Sequence, residues 1–306
     1  MKALGIDTSN YTTSAALFNS ELNTVMQERR LLKVKPGELG LRQADAVFQH
    51  TMALPGIIGV LCENGSITPD VIGVSVSPSE EENSYMPCFM TGKCVAECMG
   101  SVFGVPVKMF SHQAGHIVAV LYSANRLDLL EKEFLAFHVS GGTTQGLFVK
   151  PDADKVISIR KVCESLDLKA GQAIDRVGVM LGLDFPAGAK LDALSRESTE
   201  KYKVHPFMRD GACSLSGLQN KCEQMFRKGE APENIANYCI TYICEALRLM
   251  TNALLEKYPG RPVLYSGGVM SNSLIRERFT EEFGAVFSAP GFSSDNACGT
   301  AVLAAL

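Results

Sequence analysis

Histidine is scarce in this chain, with five in 306 residues. An excess of basic charge is missing too: 29 lysines and arginines stand against 33 acids, a formal net charge of -4. That balance argues against a strong nonspecific nucleic-acid binder, while leaving room for a local basic patch. No 18 apolar residues run together, so no transmembrane helix is expected. The apolar stretch in "MKALGIDTSN" is too short for the core of a secretion signal, and a cytoplasmic location is expected. The ten cysteines include no CxxC pair, which disfavours a zinc ribbon, and all ten are expected to be reduced. Cys94 and Cys98, four apart on an expected helix, read as two small buried residues on one face. Neither GxGxxG nor GxxxxGK[ST] occurs, so dinucleotide-binding and P-loop folds lack support.

What is present suits a globular chain. Hydrophobic residues make up 46% and charged residues 20%, enough for a sizeable core, and the length fits two domains. "KALGIDTSNYTTSAALFN" reads as a β-hairpin whose turn carries Asp7, Thr8, Ser9, Thr12 and Thr13. A helix follows over "RQADAVFQHTMALPGIIGVLCENG", kinked by Pro55 and ended by Gly65. The strand "VIGVSVSP", the helix "MTGKCVAECMGSVFG" and the strand "VPVKMF" come next. This alternation predicts an α/β fold. The second half opens in the same way, with "FLAFHVSGGTTQGLFVK" as another strand–polar turn–strand. A boundary near residue 107 is expected, giving halves 1–107 and 108–306, with a helical insertion around 165–255. Ile235, Ile243, Leu247, Met250 and Leu254 mark a long buried helix stopped by Pro259-Gly260.

Three stretches carry chemistry. "VSGGTT" and "YSGGVMSN" each follow a strand, and paired glycines let backbone N–H groups approach a phosphate. Taken singly, such a pair reads as a tight turn. Together with the hydroxyl-rich first hairpin, they fit the actin/Hsp70/sugar-kinase architecture, in which two similar α/β halves hold a nucleotide. The third stretch is "FSHQAGHIVAV". His112 and His116 are four apart, so on a helix both could ligate one metal; the bland alternative is one capping histidine and one packed one. Gln113 stands where HExxH would need glutamate, so the base of a metallopeptidase is missing.

"SHQAGHI", "HVSGGTTQ", "AIDRVGVMLGLDFPAGAKLDALS", "CSLSGLQNKCEQMF", "YSGGVMSNSLIRERF" and "FSSDNACGTA" resemble, in order, the motifs of the tRNA N6-adenosine threonylcarbamoyltransferase family, formerly called glycoproteases. The resemblance covers nearly the whole chain and is most specific from about residue 103 onward. It implies an actin/Hsp70-like (ASKHA) double RNase H-like fold with a nucleotide cleft between the halves. It implies one divalent metal, iron or zinc, held by His112, His116 and Asp295. It implies an adenine nucleotide (threonylcarbamoyl-AMP, AMP or ATP) bound by His138, Val139, Ser140, Gly141, Gly142, Asp175, Gly188, Asp192 and Asn272. The implied reaction is transfer of threonylcarbamoyl to N6 of adenosine 37 in tRNA. The implied partners are tRNA, a related actin-fold subunit and a small ATPase, in a homodimer or heterodimer. No catalytic residue is assigned.

Four departures from the family pattern cluster at the site. Tyr11 and Thr12 replace an acidic pair; Thr143 replaces a histidine; Ala114 replaces an acid. In place of a Gly-Pro-Gly loop stands "SPSEEENSYMPCFMTG", where Glu80, Glu81 and Glu82 would repel phosphate if the loop borders the site, or form a solvated acidic loop if it does not. These changes point to a divergent bacterial paralogue with an altered substrate. The alternative is a catalytically impaired paralogue that binds nucleotide and metal and serves as a regulatory or scaffolding subunit. Arg29, Arg30, Lys33 and Lys35, and likewise Arg196, Lys201, Lys203 and Arg209, are candidate RNA contacts or simply solvated faces.

Overall fold

The computed structural model describes residues 1–9, 11–34, 41–63, 68–289, 291–292 and 297–306. Lys35, Gly65 and Asp295 lie outside the described residues. In chain order the elements are β1 (Lys2–Ser9), β2 (Thr12–Asn19), β3 (Thr24–Leu31), α1 (Gln43–Cys62), β4 (Val71–Ser77), α2 (Phe89–Phe103), β5 (Val107–Ser111) and α3 (His112–Ser123). The hairpin β6 (Phe134–Val139) and β7 (Thr144–Asp152) leads to β8 (Val156–Glu164), α4 (Ala170–Met180) and α5 (Gly188–Ser195). Next come β9 (Met208–Arg209), β10 (Ala212–Cys213), α6 (Ser216–Arg227) and α7 (Pro232–Lys257). Finally β11 (Val263–Ser266), α8 (Ser273–Phe283), β12 (Val286–Phe287) and α9 (Cys298–Ala305) close the chain.

The two large sheets repeat one plan. The first has strand order β3-β2-β1-β4-β5 and the second β8-β7-β6-β11-β12. In each, the opening hairpin is antiparallel, and its first strand pairs in parallel with the fourth, which pairs in parallel with the fifth. The echo between the two "strand–polar turn–strand" segments is therefore a repeat of whole-sheet topology. Among the described residues, α1 is the one helix between β3 and β4 in the first copy, whereas residues between β8 and β11 form four helices and the β9–β10 hairpin.

The first hairpin differs from its expected form. Asp7, Thr8, Ser9, Thr12 and Thr13 are strand residues and not turn residues, paired Asp7–Ser14, Thr8–Thr13 and Ser9–Thr12. All five are buried. The Thr8 hydroxyl finds its partners inside: it donates to the Cys88 carbonyl and accepts from the Gly92 amide, 3.0 and 3.1 Å away. Buried hydrogen-bonded threonines suit a strand, where a β-branched side chain is favoured.

Alternation along β1 and β4 sorts the helices onto two faces. Leu4, Ile6, Ile72 and Val74 point into a core with Leu54 and Ile57 of α1 and Ala96 of α2. Gly5 and Gly73, paired across the strands, face the other way, onto α9. A Cβ on Gly5 would lie 2.5 Å from the Ala297 carbonyl, and one on Gly73 2.5 Å from that of Thr300, so only glycine admits the helix this close. The helix α1 is long and apolar enough to span a membrane by length and composition alone. It runs on through Pro55 and buries Ala46, His50, Ala53, Leu54, Ile57 and Leu61 against the sheet, as a core helix does.

The chain divides into two compact units, residues 1–132, 150–159 and 288–306 in the first, and 133–149 and 160–287 in the second. The division does not follow the expected cut at residue 107. The helix α3 lies against α9, its Gly115 carbonyl directly over Gly299, and this keeps residues 108–132 in the first unit. The second unit has its own core, in which Phe137, Tyr265 and Phe287 stack at 5.1 and 5.3 Å between ring centroids. The buried apolar face of α7 includes Ile235, Ile243, Leu247, Met250 and Leu254, as the periodicity predicts.

Cys94 and Cys98 are exposed, contrary to expectation. The inner face of α2 is taken by Phe89, Gly92, Ala96 and Gly100, half a turn away. The close α3–α9 crossing has a measurable consequence. A Cβ on Gly299 would overlap the Gly115 carbonyl oxygen and sit 2.6 Å from the Ala119 amide, both backbone atoms. Gly299→Ala is expected to lower unfolding free energy by about 3 kcal/mol, read as a fall in the urea midpoint at unchanged slope. An unchanged midpoint would show that the crossing is not tight.

Candidate functional site

In the first unit the site is built at the junction of β5 and α3. The Ser111 hydroxyl caps α3 by accepting from the Ala114 amide at 3.1 Å. His112 thereby occupies the first helical turn, and His116 follows one turn later on the same face. Their Nε2 atoms are 2.8 Å apart, with the rings edge to face. His112 Nδ1 lies 2.7 Å from Oδ2 of Asp7, which is 1% exposed at the end of β1. A carboxylate can only accept, so Nδ1 of His112 carries the proton, and Nε2 is the nitrogen left with a lone pair once the ring gives up its other proton.

Burial alone would raise the Asp7 pKa. The charge on His112 and hydrogen bonds from His112, Ser75 and Ser9 outweigh it and hold the carboxyl below its usual range. Ser75 also lies 3.2 Å from the Thr300 hydroxyl, tying β4 to α9. Carboxylate, imidazole and a bare ring nitrogen in line form the arrangement that orients a metal-binding histidine. The two converging Nε2 atoms therefore suit a borderline cation. Asp7 backs the pair from behind and does not join it, and among the described residues no third acid, cysteine or histidine completes a metal group. Asp295 lies outside them.

In the second unit the residues gather around the β6–β7 turn. The Ser140 amide donates to the Thr143 carbonyl at 2.7 Å, closing a tight turn with Gly141 and Gly142 at its tip. A Cβ on either glycine would meet nothing within 4 Å, so their backbone is open. The start of α4 is packed onto this turn: a Cβ on Gly171 would come within 2.6 Å of the Gly141 amide and the Ser140 carbonyl. The Thr144 hydroxyl fixes the same junction by accepting from the Ala170 amide at 2.8 Å. One turn along α4 from Gly171 is Asp175, which accepts from the Ala187 amide at 2.8 Å and so holds Gly188 at the start of α5. One turn along α5 is Asp192, which accepts from the Asn272 side-chain amide at 2.8 Å. Asn272 in turn caps α8 through the Ile275 amide.

Gly267, at φ +96°, has no room for a Cβ above the Val139 backbone. It thereby binds the second Gly-Gly loop to the end of β6. These contacts link the predicted residues of this unit from the β6–β7 turn to α8, with two exceptions in kind. Val139 is wholly buried and contributes only backbone. His138 Nδ1 is 3.0 Å from the Ser266 hydroxyl, which itself donates to the Phe137 carbonyl, so His138 is anchored to β11.

The family model for tRNA N6-adenosine threonylcarbamoyltransferase matches residues 46–302. This chain belongs to that family. A tRNA N6-adenosine threonylcarbamoyltransferase of Streptococcus pneumoniae (strain Taiwan19F-14) is 30% identical over 231 residues, covering 72% of this chain and 66% of the relative, just under two thirds of its length. One of Chlorobium phaeobacteroides is 27% identical over 335 residues, covering 100% of this chain and 92% of that protein. Among solved structures, full-length HypF in the phosphate- and nucleotide-bound form aligns with a TM-score of 0.65 at 13% identity, over 99% of this chain and 46% of HypF. A ROK family glucokinase from Streptomyces griseus in complex with glucose and AMPPNP aligns with a TM-score of 0.56 at 10% identity, over 100% and 99%. These likenesses show the fold, the actin/Hsp70-like α/β arrangement that the motif order predicts.

Against the family pattern, the altered loop has a definite structure here. The Pro78 carbonyl accepts from the Gln113 amide at 3.1 Å, beside the histidines. Glu80 accepts from the Ile159 amide at 3.0 Å, so at least one of its three acids is structurally employed and not merely solvated. A cleft of about 460 Å³ lies here, lined by Ser77, Glu80, Tyr85, Ser111 and Lys155 among others. Asp7 is the residue that motif reading missed. Its signal was an acid placed at the end of an otherwise apolar first strand.

A second buried histidine neighbours Asp7 electrostatically. His50 of α1 is fully buried, with Nδ1 2.8 Å from the Thr13 hydroxyl. Burial lowers its pKa to about 4, although Asp7 pulls it upward. A depressed histidine favours the native state fully above the unfolded value near 6.5, and that contribution is lost as pH falls toward 4. His50→Gln is therefore expected to flatten the stability curve between pH 7 and pH 4 by on the order of 2 kcal/mol, in paired denaturant titrations. Parallel curves for the two proteins would contradict it.

Proposed function

We propose that this protein transfers a threonylcarbamoyl group from an adenylate to N6 of adenosine in tRNA, in the cytoplasm. The observation that carries the reading is the cradle in the second unit. Open glycine backbone at 141–142, seated on the N-terminus of α4, suits phosphate oxygens. Asp175, which gives one carboxylate oxygen to the Ala187 amide, suits a ribose hydroxyl with the other, and Asp192, already accepting from Asn272 and Ser273, fixes the neighbouring edge of the cradle. In the reaction the adenine amine attacks the carbamoyl carbon and gives up one N–H proton to water, a C–N bond forms, the C–O bond to phosphate breaks, and AMP leaves with that electron pair. The chain's contribution is chiefly orientation, which can supply much of such a barrier.

His112 and His116, backed by Asp7, are the residues that would hold a divalent cation, with Asp295 as the further ligand by family resemblance. When bound, the cation supplies Lewis-acid stabilisation of oxygen charge. The exposed Phe48, Met52 and Val60 on α1 form the face we assign to a related actin-fold subunit, with a small ATPase as a further partner.

One observation favours a second reading, a regulatory or scaffolding paralogue: the family's acidic pair is Tyr11 and Thr12, and Thr12 is buried within the hairpin.

Thermal shift with threonylcarbamoyl-AMP, AMP and ATP, followed by assay on tRNA lacking the modification, separates these readings. Stabilisation together with modified tRNA supports transfer, stabilisation without it supports the second reading, and no stabilisation by any adenine nucleotide removes both. Gly171→Ala displaces the turn at Gly141, and is expected to weaken AMP binding by about tenfold, roughly 1.4 kcal/mol, by calorimetry. Full retention of affinity would place the phosphate elsewhere.

A further inference from the structure

We infer that α2 carries a surface dithiol site, Cys94 with Cys98, for a thiophilic divalent cation. The site is separate from the histidine pair and does not rest on the transfer reaction. Of the ten cysteines, seven are buried and Cys62 is half-buried; only Cys94 and Cys98 are exposed. They sit one helical turn apart, on the face of α2 opposite its buried Gly92, Ala96 and Gly100. Four apart on one helix, the two side chains are neighbours on its surface.

Geometry separates a metal site from a disulfide. On a helix, residues four apart place their Cβ atoms roughly 5–6 Å apart. A disulfide requires about 3.5–4.5 Å, so closing one here would distort the helix. Two sulfurs on a tetrahedral cation with metal–sulfur bonds of about 2.3 Å lie about 3.8 Å apart, a span the two side chains reach without moving the backbone. The pair is built to share a cation and poorly built to oxidise.

Electrostatics point the same way. The neighbouring Cys94, and Glu97 beside it, raise the pKa of Cys98. Two thiolates one turn apart repel, and a dication between them removes that repulsion. Binding replaces two S–H bonds with two metal–sulfur bonds and releases two protons to solvent. Met90, exposed one turn earlier on the same stripe, adds a thioether for the softest cations. The protein sulfurs fill two positions, and water or a donor from another molecule takes the others.

The full chain, titrated with cadmium ion, reads the proposal through thiolate-to-cadmium charge-transfer absorption in the ultraviolet, which imidazole ligation does not produce. One equivalent is expected to raise the band and to protect Cys94 and Cys98 from alkylation in peptide mapping. Cys94→Ser and Cys98→Ser are each expected to abolish it, while Cys62→Ser and His112→Ala leave it intact. Both serines are surface replacements, and circular dichroism checks that the fold is kept. No band in the unaltered chain, or a band that survives the double serine variant, overturns the proposal. So does a Cys94–Cys98 disulfide that forms readily in air.

Discussion

Backbone pressed against backbone is the constraint on which the first unit depends. Gly5 and Gly73 lower α9 onto the sheet, and Gly115 and Gly299 let α3 cross α9 with no side chain between them. This crossing sets where α3 begins and so where His112 and His116 point. The buried charge of Asp7 adds a second requirement. A carboxylate taken out of water needs hydrogen bonds, and His112, Ser9 and Ser75 supply them. Packing and polar satisfaction therefore agree on one position for the imidazoles.

The second unit uses the same device for a different end. Gly171 seats α4 on the Ser140–Gly141 turn and Gly267 seats the second Gly-Gly loop on Val139. Asp175 and Asp192 then act as ties, each carboxylate holding the start of the next element. The result is a chain of fixed joints from β6 to α8, with open glycine backbone at Gly141 and Gly142 of the first Gly-Gly loop and at Gly268 of the second. Rigid support around a small exposed stretch is what a preorganised phosphate site requires.

Spacing of four on a helix occurs twice in this protein, with opposite surroundings. The histidines of α3 are shielded and backed by a buried acid; the cysteines of α2 face solvent beside Lys93 and Glu97. A nitrogen pair held by a carboxylate and a sulfur pair in water select different cations by ligand softness. Equal spacing thus yields unequal sites, because burial and neighbours determine the chemistry.

Much of this was legible beforehand. The strand–turn–strand openings of both halves, the long apolar face of α7 and the order of glycine and aspartate motifs follow from periodicity and local chemistry, which depend only on neighbours along the chain. The pairing of His112 with His116 was legible for the same reason, since one helical turn is a local distance. Other features were not. Asp7 is 105 residues from His112, and nothing in either stretch names the other. Thr8 reads as a turn residue in the sequence because its partners at Cys88 and Gly92 lie 80 and 84 residues away. The outward face of Cys94 and Cys98 depended on which side of α2 the sheet would claim. The sequence determined the local elements and the residues able to do chemistry. Only the tertiary structure decided which of them meet, which are dry and which face water, because burial belongs to surfaces brought together from distant parts of the chain.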